Sequence, residues 1–351
     1  MTPFRWILAA VSFAAAIAVS LYIVRSSWPA GNAAVSVSPL VHAALLALAL
    51  LELGARGLKV RLSAAALAIP MTYGAALRAS AGGDFGAAIT PARTGAEPAR
   101  FLILSEAGMS SAHIILVIFA ELFLEMISLA LVAVAMFIVF KGSGGMILGM
   151  AGLVAAYAAF VLGGAAIGFA LSRTHASGPP PKWAASLGLN AGRWRAVQRS
   201  LRQLRDGIQG LREVRYGMAA LALLASLAHV ALRLSILPLI VYSFHEPAPL
   251  APLILWPIAL TYGSVVAPVP GGGGAIEVAF KATLGHTIPA RVFGASLIWW
   301  RFYTFYIFVL LGALVAGGTV LRALRDDAAK ESGGDGVTDA VDAVRGSAAA
   351  P

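Results

Sequence analysis

No cysteine occurs in the 351 residues, which removes disulfides, thiolate metal sites and cysteine nucleophiles together. Charge is scarce as well: 12% of residues are charged, against 59% hydrophobic. A soluble domain cannot hide that much apolar surface, and a mean hydropathy of +0.83 belongs to membrane proteins. Acidic residues are the rarer sign, 16 against 26 Lys and Arg. The positive excess sits in loops beside apolar runs, so it reads as membrane orientation rather than as a nucleic-acid footprint. Enzyme motifs are thin. His245-Glu246 opens like the zinc-protease HExxH helix, but Pro249 stands where the second histidine belongs. Gly271–Gly274 lacks the Gly-Lys-Ser/Thr ending of a phosphate loop. No metal and no cofactor is expected.

What is present is a series of apolar runs, and they predict an all-α, polytopic helical bundle. Six are long enough to cross a bilayer at about 20 residues each: 6–24, 39–55, 112–140, 146–171, 216–243 and 289–320. The first exceeds the usual 7–15 residues of a signal-peptide core, so it reads as a retained span. Two more apolar segments, 62–80 and 250–266, run into Gly/Pro-broken stretches, 81–106 and 267–288. Arg56, Lys59 and Arg61 read as a short loop after the second span, and 172–215 carries nine Lys/Arg against Asp206 and Glu213. The positive-inside rule places both in the cytoplasm, with both chain termini. The two broken segments then become hairpins that leave and return on opposite faces.

The stretch APVPGGGGAIEVAFK, from Ala267 to Lys281, holds the sharpest signal. Proline removes a backbone donor and glycine opens forbidden angles, so a helix breaks there. Irregular backbone at membrane depth survives only inside protein or beside a wet cavity. A charge near the bilayer centre costs roughly 2.5–3.5 kcal/mol on insertion scales, so Glu277 needs a partner or a task. The earlier break repeats the order: Pro91, Gly95 and Glu97, against Pro270, Gly274 and Glu277. Such paired breaks point to a transporter site between inverted repeats; two ordinary kinked spans are the bland alternative.

Other charges stay open. Glu277 and Lys281 are one turn apart and able to neutralise one another. Glu121 and Glu125 share a face, so one is protonated or paired with Arg93 or Arg100. Arg100 reads either as a bidentate phosphate clamp or as a snorkelling cation. His229 and Arg233 are one turn apart, and Arg301 lies inside the last span. The run 193–215 sets an apolar stripe from Trp194 to Leu211 among seven arginines, which predicts an amphipathic helix at the cytoplasmic headgroup plane or packed on the protein's own face. Residues 323–351 lack apolar periodicity and are expected to be a disordered cytoplasmic tail.

Three stretches resemble one family, the transmembrane region of lysylphosphatidylglycerol synthases. Pro270-Gly271-Gly272 followed by Glu277 resembles its PGG-x-G-x-x-E signature. TPARTGAEPAR resembles its PGR-x-GEP-x-R signature through Pro91, Arg93, Gly95, Glu97, Pro98 and Arg100, with Ala92 in place of glycine and Ala96 as an extra residue. AELFLEMISL resembles a third segment through Glu121, Glu125 and Ser128, with Leu122 replacing an arginine. The resemblance covers about 1–322, leaving too little chain for a synthase domain. It implies the lipid-handling half without the synthase: a non-enzymatic flippase of the bacterial inner membrane. Its cargo would be a phosphate-bearing lipid, and the expected binding residues are Pro91, Arg93, Gly95, Glu97, Arg100, Glu121, Glu125, Pro270, Gly271, Gly272, Gly274, Glu277 and Arg301. Membrane lipids with anionic headgroups are the expected partners, and a second copy or a membrane enzyme stays open. The rivals are a non-transporting partner of a lipid- or glycan-modifying enzyme and a transferase acting on a polyprenyl-phosphate lipid. The topology is directly testable: reporters at Gly31, Gly144 and Pro247 are expected to face outward, and a cytoplasmic signal at Gly144 would reverse two spans and break the scheme.

Overall fold

The computed structural model describes residues 36–90, 93–140, 144–173, 214–263 and 274–319, with scattered positions within 18–26 and 191–205. Every regular element in them is helical. In chain order they are α1 (Pro39–Ala66), α2 (Tyr73–Ile89), α3 (Ala96–Glu106), α4 (Ser111–Val139), α5 (Gly144–Arg173), α6 (Tyr216–Ser243), α7 (Leu250–Gly263), α8 (Ala275–Leu284) and α9 (Ala290–Thr319). Among the described residues α1, α4, α6 and α9 are long and apolar enough to cross a membrane, and α7 is a shorter apolar helix.

The helix ends follow local chemistry. Ser38, Thr72 and Ser110 cap α1, α2 and α4 by accepting backbone N–H groups three residues on. After α1, Ala68 takes φ 56°, and Ala68 and Ile69 donate back to Ala65 and Ala64. This is a Schellman stop with alanine where glycine is usual, and Pro70 lies just beyond it. Gly108 at φ 82° ends α3 in the same way. Inside α9 one π turn, Phe302–Tyr306, follows Arg301 directly.

Two expectations about segment limits are corrected. The second span does not stop at 55: α1 runs to Ala66, so Arg56 and Lys59 lie within a helix and are largely buried. Charge was read as the end of the span, but these cations have carboxylate partners inside the protein and no need of water. The first break is also shorter than 81–106. Residues 81–89 belong to α2 and 96–106 to α3, so the break is confined to the short stretch between those two helices. The predicted span 6–24 and amphipathic run 193–215 lie mostly outside the described residues, and the tail 323–351 wholly so. Of the run, Trp194 is buried, and Arg195, Arg199 and Arg202 are exposed.

α1 is the spine. It lies antiparallel to α6, with the Arg215 N–H donating to the Ala66 carbonyl at one end and Arg233 meeting Glu52 further along. It also meets α4, where Val60 and Ala64 pack with Leu116 and Val117. Leu45 and Leu53 of α1, Ile236 and Ile240 of α6, Phe280 of α8 and Trp300 of α9 form the largest apolar core.

α2 and α3 fold back on one another, and every buried residue of α2 is Ala, Gly or Ser. Small residues let backbones approach closely where the hydrophobic effect gives no drive. A Cβ on Gly86 would lie 2.4 Å from the Gly95 carbonyl oxygen, and one on Gly312 of α9 would lie 2.2 Å from that of Ala81. Thr90 stitches the turn: its hydroxyl donates to the Gly86 carbonyl at 2.8 Å and accepts from the Gly95 N–H at 2.7 Å. The far ends of this hairpin stay together through Arg78 and Glu106, and Glu106 also accepts from Thr319 at the end of α9. α8 folds back on α9 through Phe280, which meets Phe293 and Trp300.

Gly86→Ala is expected to cost about 1–3 kcal/mol by overpacking, because backbone rather than a flexible side chain opposes the methyl. Gly217→Ala, which meets open space in α6, is the control. Thermal unfolding in detergent measures both, and equal midpoints for Gly86→Ala and wild type would refute the packing account.

Candidate functional site

Buried charge is concentrated in two clusters along one face of α1, and the spacing of that helix explains why. Glu52, Arg56 and Lys59 follow one another at four and three residues, so they share a face.

In the first cluster Glu52 is wholly buried, and its Oε1 lies 3.1 Å from Arg56 Nε and 2.9 Å from Arg233 Nη2 as ion pairs. Arg56 Nη1 reaches Asp84 Oδ2 of α2 at 2.7 Å. Both guanidinium groups lie over the Phe308 ring of α9, at 4.7 and 5.5 Å from its centroid, a cation–π support that strengthens on desolvation. Glu277, at the start of α8, holds Arg301 Nε at 2.8 Å, and Arg301 lies 4.5 Å over Phe305. Arg93 comes from the first break, half-buried and at φ 58°. Its charge faces Asp84, Arg233, Arg56 and Arg301. Arg93 makes no ion pair among the described residues. Arg56 Nη2 and Arg233 Nε are buried donors without a hydrogen-bond partner there.

In the second cluster Lys59, 1% exposed, sits between Glu125 Oε2 at 2.6 Å and Glu121 Oε1 at 3.0 Å. Arg100 Nη2 binds the other oxygen of Glu121, and Arg100 Nη1 reaches Glu97 at 3.2 Å. Tyr262 of α7 donates to Glu125 Oε1 at 3.1 Å, and His229 Nε2 lies 4.0 Å from the same oxygen. Below them Ser128 and Ser226 share a hydrogen bond of 2.9 Å. Among the described residues no group of three or more His, Asp and Glu is placed to hold a metal.

The sequence candidates therefore divide. Arg93 lies within electrostatic reach of Arg301, which Glu277 holds, on the side of the first cluster, and Glu97, Arg100, Glu121 and Glu125 come together in the second. Gly95 is the close-packing point of the first break, and Gly274, at φ 76°, precedes α8. Pro91, Pro270, Gly271 and Gly272 lie outside the described residues. Glu277 pairs with Arg301 and not with Lys281, which is exposed. Arg100 is held by two carboxylates, so it is not a free phosphate clamp; Leu122, where the family pattern has arginine, packs against the Ile103 and Ile114 cluster. Sequence reasoning missed Glu52, Asp84 and Tyr262, and it put Arg56 and Lys59 in a loop. The available signal was the 52–56–59 spacing, which matches that of His229 and Arg233.

A model of the lysylphosphatidylglycerol synthase transmembrane region matches residues 5–312. The chain belongs to that family. No individually curated protein matches it. Both charge clusters of this lysylphosphatidylglycerol synthase-type transmembrane region fall within the matched residues. The signature glutamates Glu97 and Glu277 each hold an arginine, Arg100 and Arg301. The signature sequences thus carry ion pairs as well as helix breaks.

Removing one member of a buried ion pair strands the other, at about 3–5 kcal/mol. Lys59→Met is expected to lose that much, because Glu121 and Glu125 then face one another without their shared cation. The double change Lys59→Met with Glu125→Gln is expected to recover part of the loss. Unfolding midpoints of purified protein decide it, and a Lys59→Met variant as stable as wild type would remove Lys59 from the role of lock.

Proposed function

We propose that the chain is a lipid translocator, moving a phosphate-bearing amphiphile across the bacterial inner membrane with its headgroup through the protein and its tails in lipid. The observation that carries this reading is the imbalance at the first break. Arg56, Arg93, Arg233 and Arg301 face three carboxylates, Glu52, Asp84 and Glu277. Within this cluster, and among the described residues, one positive charge is left over, and Arg93 is the cation without an ion pair. A singly charged phosphodiester balances it, and the unused donors of Arg56 and Arg233 suit its oxygens.

Family membership supports a lipid-related role, because the family is named for the membrane part of a lipid-modifying enzyme. In this reading the α2–α3 and α7–α8 hairpins approach from opposite faces, related by a pseudo-two-fold axis in the membrane plane. Arg93 and the Glu277–Arg301 pair meet where the hairpins converge, and the chain termini lie in the cytoplasm. The chain would act on its lipid by movement rather than by covalent chemistry.

Liposomes carrying the purified protein and fluorescent phosphatidylglycerol or phosphatidylcholine test the reading. Faster translocation of the anionic lipid is expected. A charge-assisted hydrogen bond contributes about 1.5–3 kcal/mol, so Arg93→Gln is expected to slow translocation roughly 10- to 100-fold while expression and unfolding midpoint hold. Glu277→Gln is expected to slow it too, by releasing Arg301. Protein-containing liposomes no faster than empty ones for either lipid would overturn the reading.

A further inference from the structure

We propose that His229 is a proton-binding site linked to the arginine site, so that an anionic headgroup and a proton bind together and cross together. The inference rests on the anion-site reading above and adds what drives it.

Charge balance carries the argument. The first cluster sets four arginines against three carboxylates. The second sets Lys59 and Arg100 against Glu97, Glu121 and Glu125. Together, among the described residues, they hold six cations and six carboxylates, so this set is neutral as it stands. Arrival of a phosphodiester leaves it one charge negative, in a medium where uncompensated charge is costly. Balance returns if a neighbouring neutral group accepts a proton.

His229 lies at the junction of the two clusters. It is 2% exposed, its Nε2 is 4.0 Å from Glu125 Oε1, and its buried Nδ1 has no hydrogen-bond partner among the described residues. Arg56 and Lys59 face it from α1, Glu125 from α4 and Arg233 from its own helix. Tyr262 of α7 donates to the same Glu125 oxygen. Without the anion, a second proton on the ring meets three cations and one carboxylate. With the anion beside Arg93, Arg56 and Arg233, the field of those arginines is offset and the imidazolium–Glu125 pair gains weight. Linkage makes this reciprocal: the proton must strengthen anion binding by the same factor. The proton comes from the aqueous phase to which the site is open and leaves to the opposite phase with the lipid. No electrons move.

The test uses full-length protein in detergent and two probes whose single phosphodiester charge is constant across the pH range. Dihexanoyl phosphatidylglycerol carries acyl chains, and glycerophosphoglycerol does not. Tryptophan fluorescence reads binding, and a pH indicator in weak buffer reads proton uptake. Wild type is expected to take up as much as one proton per anion bound. Its affinity is expected to rise by up to about tenfold per pH unit as pH falls from 7.5 to 5.5. His229→Gln is expected to bind with a flat pH profile and no uptake, and His229→Asn serves where that variant does not fold. Binding by wild type without proton uptake at any of these pH values overturns the linkage and leaves the anion site standing. Uptake persisting in the His229 variants overturns the assignment to His229. Failure of both probes to bind overturns the anion site and the linkage with it. A response to the acylated probe alone assigns the site to a lipid headgroup, and an equal response to both assigns it to a free phosphodiester; the linkage stands in either case.

Discussion

A charge within the hydrocarbon of a bilayer must find its counter-charge in the protein, and the interior of this molecule is arranged around that requirement. α1 presents Glu52, Arg56 and Lys59 along one face, and α2, α4 and α6 bring Asp84, Glu121, Glu125 and Arg233 to meet them. α9 adds Phe308 beneath two guanidinium groups and Arg301 against Glu277. α2, α4 and α6 are thereby tied to α1, and α8 to α9, by ion pairs as well as by apolar contact. Apolar packing alone would leave rotation and register loosely specified, since one greasy face resembles another. Buried ion pairs are directional, and losing one partner is expensive. In this chain they fix which faces meet.

The same requirement governs backbone. A break in a helix frees N–H and C=O groups that lipid cannot satisfy. At 90–95 the Thr90 hydroxyl bonds on both sides of the turn, and the Gly86 and Gly95 backbones approach within distances that no Cβ would permit. Gly82, Gly83 and Gly312 serve the same end, bringing α3 and α9 against α2. The π turn of α9 belongs with these devices. It inserts one extra residue just after Arg301, which re-aims the following aromatic side chains. Phe305 then lies under Arg301, and Tyr303 reaches His42 of α1 at 2.9 Å.

Much of this was legible in the sequence, and the parts that were not share one cause. The runs 112–140, 216–243 and 289–320 gave their helices almost to the residue, because length and apolar composition act locally. The Pro, Gly, Glu order of the breaks led to Arg93, Glu97, Arg100 and Glu277, because motif chemistry is local too, and Arg301 stood out only as a charge inside an apolar span. Asp84 and Glu52 carry no motif, and a charge after an apolar run reads as the end of a span. Whether such a charge sits in water or against a buried partner depends on residues far along the chain, such as Arg233 for Glu52. Ion pairing across helices cannot be seen one segment at a time. Helical spacing was the remaining clue: Glu52, Arg56 and Lys59 at 3- and 4-residue intervals mark one face, which a loop has no reason to repeat.

The two clusters differ in a way that bears on movement. Around Lys59 the acids outnumber the cations, and Lys59 and Arg100 are each held by two carboxylates. Around Arg93 the cations outnumber the acids, and the surplus rests on a residue in the left-handed region of backbone space. That conformation costs a non-glycine residue about 1–2 kcal/mol, so Arg93 combines a charge without an ion pair among the described residues with a strained backbone. Neither feature helps the fold, and a glycine there would avoid both. Strain of this kind persists where surrounding structure over-determines it, and it concentrates at ligand sites and switches. The locked cluster holds α1, α3 and α4 together, and the unbalanced one lies where the first break reaches α6 and α9. A ligand that completed the balance around Arg93 would change the field on the Lys59 cluster through Arg56, which lies within electrostatic reach of Glu125. Coupling between binding and helix arrangement then needs no long relay, because both clusters are built on the same two turns of α1.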